Sequence, residues 1–439
     1  MPNNPEDDFT DLLFDPNAKM ETDVDFGLLP QEAIKTHPRD NYVANPGETV
    51  FRLEGYIFSR MMRVLAVSAG ANSLRYCHIK VSPSTIYAST YNHAFFGHYE
   101  APIFQEPANV DGEIAFAISF DSLKRAAAAN GPVFRFVLRA EGQLIVTTEG
   151  FERIIQAVDS TKFVARLVKQ REEVTNEPIA LSANALVEAF RFVSTFIETE
   201  TKQDHPVAQL QNGELWTRAS KTTAVARIAA PTDLAVSIKV EHLRGVIVAL
   251  NEFRVGETVW LGSDAGYTVL KNCTYTLGFE ASSASLQGIP VRPPDAESIV
   301  RVPASSLARA LRPLRLTDDA TNPTTSLKMT ERGSKVSFDL VTSNNERERT
   351  RIRIHGTLVR GSTADKWAIP TDPLSRAIPF YEAAHIELNR ATVKDQALSW
   401  VDFDDELVEG ADPKRISRRL YISPLIRKHI PTNSRPKFK

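Results

Sequence analysis

"SLKMTERGSKVSFDLVTSNNERERTRIRI", residues 326 to 354, alternates apolar and polar side chains, turns at Glu331-Arg332-Gly333, alternates again, breaks at Ser343-Asn344-Asn345 and alternates a third time. Successive side chains of a strand point to opposite faces, so the pattern predicts a three-stranded meander with one buried face. Four other stretches repeat it, at 74 to 101, 133 to 158, 207 to 229 and 259 to 279, with strands meeting at a turn that contains Gly or Ser and Pro. A sixth copy is weaker, with strands near 397 to 403 and 415 to 422 around an acidic loop.

Each run follows a segment with helical periodicity. These are "GYIFSRMMRVLAVSA" from Gly55, "SFDSLKRAAAAN" from Ser119, "SANALVEAFRFVSTFI" from Ser182, "KVEHLRGVIVALNEF" from Lys239, "PASSLARALRPL" from Pro303 and "TDPLSRAIPFYEA" from Thr371. Ser119 or Asp121, and Ser182, are placed to cap free N–H groups, and Asp372 before Pro373 offers a cap followed by proline at the first helical position. The unit is therefore a helix followed by a meander, present six times, and the fold class is α+β.

An amphipathic helix buries its apolar face on a sheet. Two modules per domain give domains at 49 to 168, 174 to 290 and 296 to 426, joined by the polar or proline-rich "VKQREEVTNEP" (168 to 178) and "QGIPVRPPDAE" (287 to 297). Residues 1 to 48 read as an acidic arm without sustained periodicity, and 427 to 439, "RKHIPTNSRPKFK", as a short basic tail.

The chain of 439 residues and 48.8 kDa suits several domains, and its 42% apolar and 24% charged content is that of a globular protein. Lysines and arginines number 52 against 54 acids, so a nucleic-acid role requires segregated charge rather than a basic average. Cys77 and Cys273 lie far apart with no Cys/His metal spacing, which argues against a disulfide framework or zinc site and fits a reducing compartment. No stretch approaches 18 uninterrupted apolar residues, and "MPNNPEDDFTDLLFD" is acidic where a signal peptide is basic and then apolar. These features suggest a soluble intracellular protein.

Cations recur in all six helices: Arg60 and Arg63, Lys124 and Arg125, Arg191, Arg244, Arg309 with Arg312 and Arg315, and Arg376. A spacing of three places Arg60 with Arg63, and Arg309 with Arg312, on one helix face. Cations commonly decorate solvated faces, but recurrence at equivalent places in a slightly acidic chain points to a distributed surface for an anionic polymer.

With its repeats, "LSANALVEAFRFVSTF", "VAQLQNGELWTRASKTTAVARI", "FEASSASLQGIPVRPP", "VSFDLVTSNNERERTRIRI" and "RRLYISPLI", taken in order, the chain resembles the β subunit of bacterial DNA polymerase III, the DNA sliding clamp family, over residues 49 to 426. The resemblance implies the DNA clamp fold: three domains of two modules each, closing as a homodimer into a six-domain ring. It also implies a non-catalytic processivity factor without cofactor or metal. Such a factor is loaded onto primed DNA by a clamp-loader ATPase, tethers a polymerase and other proteins through short peptides, and works in the cytoplasm on the nucleoid. The helix cations would then meet duplex phosphates without reading bases, a contact that slides.

By the same resemblance a partner-peptide pocket is placed at Lys221, Thr222, Thr223 and Val225, at Ile289 and Pro290, and at Tyr421, Ile422, Ser423, Pro424 and Leu425. Here the run "ASKTTAV" departs from the Asp-Gly/Ser-His-Arg-Leu common in the family, and "PLI" is followed by thirteen residues, 427 to 439. Both departures bear on which peptide the pocket accepts. The alternative function is a clamp-shaped partner-binding protein of replication or repair that does not encircle DNA.

No GxxxxGK[ST], HExxH or GxSxG is present, which removes the common phosphate-loop, zinc-protease and hydrolase readings. His93 and His98, considered as ligands with His78, have the wrong parity to share one face of a strand, and Asp402, Asp404, Asp405 and Glu406 read as an acidic turn, so no catalytic site is assigned. Thr10-Asp11-Leu12-Leu13-Phe14 resembles the clamp-binding peptides themselves. If the arm occupies a partner pocket, removing residues 1 to 20 raises the measured affinity for such a peptide, whereas an unchanged titration excludes the contact.

Overall fold

The computed structural model describes residues 44–70, 75–103, 112–159, 179–197, 206–218, 222–228, 236–252, 258–264, 267–280, 293–317, 324–332, 335–343, 349–365, 367–381, 384–393, 396–403 and 416–422. They form six successive modules of one pattern: a short lead strand, a helix entered without a loop, and a three-stranded meander. Module one contains β1 (Thr49–Glu54), α1 (Gly55–Ala66), β2 (Tyr76–Val81), β3 (Thr85–Tyr91) and β4 (Phe95–Pro102). Module two contains β5 (Ile114–Ser119), α2 (Phe120–Ala127), β6 (Val133–Leu138), β7 (Gln143–Thr148) and β8 (Phe151–Val158).

Module three contains β9 (Ile179–Ser182), α3 (Ala183–Ser194), β10 (Pro206–Gln211), β11 (Glu214–Arg218) and β12 (Thr222–Ile228). Module four contains β13 (Val236–Lys239), α4 (Val240–Asn251), β14 (Thr258–Asp264), β15 (Tyr267–Lys271) and β16 (Tyr275–Glu280). Module five contains β17 (Ser298–Pro303), α5 (Ala304–Thr317), β18 (Thr324–Arg332), β19 (Lys335–Ser343) and β20 (Arg349–Arg360). Module six contains β21 (Trp367–Pro370), α6 (Thr371–Ala377), β22 (His385–Val393), β23 (Gln396–Asp402) and β24 (Ile416–Ile422). A single 3₁₀ turn, Ile378–Phe380, follows α6.

The lead strands and β22 are absent from the sequence reading. Four to six residues running straight into a helix carry too few alternations to register, and β22, "HIELNRATV", interrupts its apolar positions with Asn389, which is itself buried. The helix starts agree with expectation. Ser119 Oγ accepts from the Ser122 N–H at 3.4 Å, and Ser182 Oγ from the Ala185 N–H at 3.5 Å. Asp372 lies inside the first turn of α6 rather than before it, and pairs with Arg376 at 2.8 Å.

The lead strands decide the topology. Sheet order is β1-β6-β7-β8-β5-β2-β3-β4-β16-β15-β14-β9 in one sheet and β13-β10-β11-β12-β24-β23-β22-β17-β20-β19-β18-β21 in the other. Thus β1 of module one pairs with the meander of module two, and β5 of module two with that of module one. The same exchange links modules three and four through β9 and β13, and modules five and six through β17 and β21. Neither member of a pair completes its sheet alone. Within the first and last pairs one lead strand also pairs with the third strand of its own module, β5 with β8 and β17 with β20, and so bridges the two meanders, whereas β9 and β13 end their respective sheets.

Every helix lays an apolar stripe on these sheets. Phe58, Met61 and Leu65 of α1, Leu186, Phe190 and Val193 of α3, and Leu307, Leu311 and Leu314 of α5 are buried at spacings of three and four. Phe51 stacks on Phe136 with ring centroids 4.9 Å apart, and Phe58 meets Phe134 and Phe136 edge-on at 5.0 and 5.1 Å. Such pairs contribute about 0.5–1.5 kcal/mol beyond the area they bury. The β10–β11 hairpin turns on Asn212-Gly213, both at positive φ (51° and 73°), the geometry that matches the twist of its strands.

At the start of α1 the backbone leaves no space. Gly55 donates its N–H to the Pro132 carbonyl at 2.7 Å, and a Cβ at this position would lie 1.8 Å from the Gly131 carbonyl oxygen. Gly55→Ala is expected to lower stability by about 1–3 kcal/mol or more, read as a lower urea midpoint; an unchanged midpoint would mean that α1 and the 131–132 segment separate freely.

Candidate nucleic-acid and partner interfaces

The module pairs are joined by their meanders. The third strand of module one, β4, pairs antiparallel with the third strand of module four, β16, from Phe95↔Phe279 to Tyr99↔Tyr275. The third strand of module three, β12, pairs with that of module six, β24, from Thr222↔Ile422 to Ile228↔Ile416. Helices meet behind each strand pair, and there the predicted cations divide into two groups.

The first group is held by neighbouring modules. Arg60 Nη2 donates to the carbonyl of Glu252, the residue that closes α4, at 2.6 Å, and Arg63 Nε lies 2.7 Å from the Glu252 carboxylate. A guanidinium at a helix C-terminus meets carbonyls left without N–H partners and the negative end of the helix dipole. Arg63 remains more than half exposed, so its ion pair adds only about 0–1 kcal/mol. Arg191 bridges Glu188 and Asn251, both at 3.1 Å. Arg376 donates to the carbonyl of Thr195, the residue that closes α3, at 2.6 Å and lies over the Phe196 ring.

The joints carry further contacts that the sequence does not announce. Tyr275 donates its hydroxyl to the Val64 carbonyl at 3.1 Å, and its burial pushes the phenol well above its ordinary range. Gly245 brings α4 so close to module one that a Cβ there would meet Phe95 at 2.8 Å and Val67 at 2.9 Å. Glu252 carried no recognisable signal, because its role depends on which helix ends beside α1.

The second group is open. Lys124, Arg125, Arg309 and Arg312 are exposed and make no ion pair among the described residues. Arg244 and Arg315 lie on α4 and α5, with side chains outside the described set.

Of the pocket residues, Thr222, Thr223 and Val225 on β12 and Tyr421 and Ile422 on β24 lie side by side in one strand pair, with Thr222↔Ile422 and Thr223↔Tyr421 in register. They occupy both faces of it. Ile422 belongs to the helix-backed core, while Val225 and Tyr421 cluster with Trp216, Trp400 and Ala391 on the other face. Lys221, Ile289, Pro290, Ser423, Pro424 and Leu425 lie outside the described residues, as do the arm and the tail. The aromatic cluster was not foreseen: Trp216 and Trp400 come from strands far apart in sequence and meet only through the β12–β24 joint.

The remaining candidates are structural in their contacts. His78 and His98 flank Ser89 across β2, β3 and β4, with Ser89 Oγ 2.6 Å from His98 Nδ1, and burial lowers the His78 pKa to about 4. Asp402 accepts from Trp400 Nε1 at 3.0 Å and pairs with Arg419, while Asp404, Asp405 and Glu406 are outside the described residues. Among the described residues no group of three His, Cys, Asp or Glu side chains is arranged to hold a metal ion, and no helix is long and apolar enough to cross a membrane.

Against solved structures this arrangement has clear counterparts. The β subunit of DNA polymerase III from Thermotoga maritima superimposes with a TM-score of 0.63 at 12% identity, covering 86% of this chain and 99% of that one. The chain has the sliding-clamp fold. A Pseudomonas aeruginosa sliding clamp bound to griselimycin gives a TM-score of 0.66 at 10% identity over 86% and 99% of the two chains. The Bacillus subtilis DNA polymerase sliding clamp gives 0.64 at 11% over the same shares. No family pattern and no curated protein matches the sequence, so the likeness lies in the fold.

One buried carboxylate, held by two exposed arginines, braces module five. Asp339 on β19, 2% exposed, accepts from Arg353 Nε at 2.8 Å and from Arg351, both on β20. Their hydrogen bonds, led by Arg353, hold its carboxyl at about 2, below the ordinary 3.8. A depressed carboxylate stabilises the fold above its unfolded pKa and loses that contribution as pH falls through the folded one. Asp339→Asn is therefore expected to melt lower than the parent at neutral pH, with the difference closing as pH drops from about 3.8 to about 2; a pH-independent difference would exclude the ionised contact.

Proposed function

We propose that two copies of this chain close into a six-domain ring around duplex DNA and act as a sliding clamp, a non-catalytic processivity factor that tethers a polymerase. The observation that carries this reading is the rule of the joints. Third strands pair, module one with four and module three with six, which among the described residues leaves modules two and five without a joint.

Their third strands have the open edges such a joint requires. Among the described residues, 151–156 of β8 pair with β7 on one side only, since β5 reaches just Ala157 and Val158. Residues 349–356 of β20 likewise pair with β19 alone among the described residues, since β17 reaches only 357 to 360. Among the described residues four large apolar side chains are exposed, and Ile154, Val158 and Val359 of these four lie on β8 and β20. An unpaired, partly apolar edge recruits a further strand. With two-fold symmetry, β8 of each copy meets β20 of the other and both gaps close.

The three domains are then 49 to 168, 174 to 290 and 296 to 426, and the cations on the helices line the enclosed passage. Lys124, Arg125, Arg309 and Arg312, with Arg244 and Arg315, are the phosphate contacts. Arg60, Arg63, Arg191 and Arg376 add positive potential while holding the joints. Polymerase and other partners dock through short peptides at the β12–β24 joint, and a clamp-loading ATPase opens the ring at primed sites on the chromosome, in the cytoplasm.

The test uses topology. The protein is threaded onto linear duplex blocked at one end, and the second end is then blocked. Retention through a high-salt wash, with release on cutting the DNA between the blocks, is the expected outcome. Loss in the wash with both ends blocked would overturn encirclement. Lys124→Glu with Arg312→Glu is expected to leave the dimer intact and to make DNA association weaker and less salt-dependent.

A further inference from the structure

The two joints present in the chain obey a positional rule. Arg60 is the sixth residue of α1, counted from Gly55, and Arg376 is the sixth of α6, counted from Thr371. Each donates to the carbonyl of the thirteenth residue counted from the start of the facing helix, Glu252 from Val240 and Thr195 from Ala183, and each does so at 2.6 Å. The reverse contact obeys the same count: Gly245, the sixth residue of α4, faces Val67, the thirteenth from the start of α1. In the α1–α4 joint the facing helices are thus related by a local two-fold, with the sixth residue of each beside the thirteenth of the other, and the α3–α6 contact of Arg376 keeps the same count. In each joint one sixth residue is a capping arginine and the other, Gly245 or Glu188, is not.

At the open edges the sixth residue of α2, counted from Phe120, is Arg125, and that of α5, counted from Ala304, is Arg309. Their surroundings would differ. The thirteenth residue of α5 is Leu316, within the last turn of a helix that runs to Thr317, so carbonyls are available at that place. The thirteenth from the start of α2 is Pro132, beyond the end of that helix at Ala127, and its carbonyl already accepts from Gly55. By this count Arg125 would face the end of a helix, whereas Arg309 would face a carbonyl already engaged by Gly55.

We propose that Arg125 is the third capping arginine: its guanidinium donates to the C-terminal carbonyls of α5 in a second copy of the chain, at Leu316, and so closes the β8–β20 joint. This removes Arg125 from the phosphate-contacting set and keeps Arg309 in it. The inference rests on the two-copy reading above, and its partner is a second copy because the rule is taken from joints of the same repeat. Arg125 is exposed and makes no ion pair among the described residues, so its replacement leaves each copy folded.

The experiment compares the full chain with Arg125→Ala, Arg125→Glu and Arg309→Glu by native mass on dilution and by DNA association, with thermal melting as a check on folding. A charge-assisted hydrogen bond lost at each of two joints is expected to raise the dimer dissociation constant roughly tenfold or more per joint for Arg125→Ala, and further for Arg125→Glu. Arg309→Glu is expected to leave the dimer unchanged and to weaken DNA association. Dimers equally stable in the Arg125 and Arg309 variants would overturn the assignment while leaving the ring intact. A parent chain that stays monomeric at micromolar concentration would instead overturn the ring itself.

Discussion

A three-stranded meander under one helix has two unsatisfied edges, and this constraint organises the molecule. Backbone N–H and C=O groups at a sheet edge seek partners, and a single module supplies none. The lead strands answer on one side, each leaving its own module to complete the neighbour's sheet. The β4–β16 and β12–β24 pairs answer on the other. What the chain does not satisfy, at β8 and β20, is what a second copy supplies in the proposed ring.

The helices follow from the same arrangement. Once strands pair edge to edge, the helices behind them come end against flank, and a helix C-terminus is left facing its neighbour. Arginine suits that position because its planar fork reaches a carbonyl while its charge opposes the helix dipole. Arg60 and Arg376 are used in this way. A cation on such a helix therefore has two possible destinations, a carbonyl across the joint or a phosphate, and the geometry of the facing helix selects between them.

Much of this was legible in the sequence. The repeat, the helix starts at Ser119 and Ser182 and the alternation in 326 to 354 are local properties, fixed by periodicity and capping. The lead strands were not legible, because "IALS" and "VSIK" become strands only through pairing with another module. The cations illustrate the same limit. Arg60 and Arg309 look alike in sequence, each three residues before another arginine, yet Arg60 is engaged by Glu252 while Arg309 is exposed without an ion pair among the described residues. The Trp216–Trp400–Tyr421 cluster is likewise a product of the β12–β24 joint, with no local signature.

The middle pair of modules differs from the other two. Modules one and two, and five and six, are crossed by continuous ladders, whereas β9 ends one twelve-stranded sheet and β13 ends the other. Between modules three and four the described residues share no ladder between meanders; they are tied by the exchanged strands and by α3 against α4, including Arg191 to Asn251. Hydrogen-bonded ladders resist shear along the strands, while side-chain packing yields to small sliding displacements. The centre of the chain is thus held by two exchanged strands and one helix pair, the one place where a module pair relies on no bridging ladder between its meanders among the described residues.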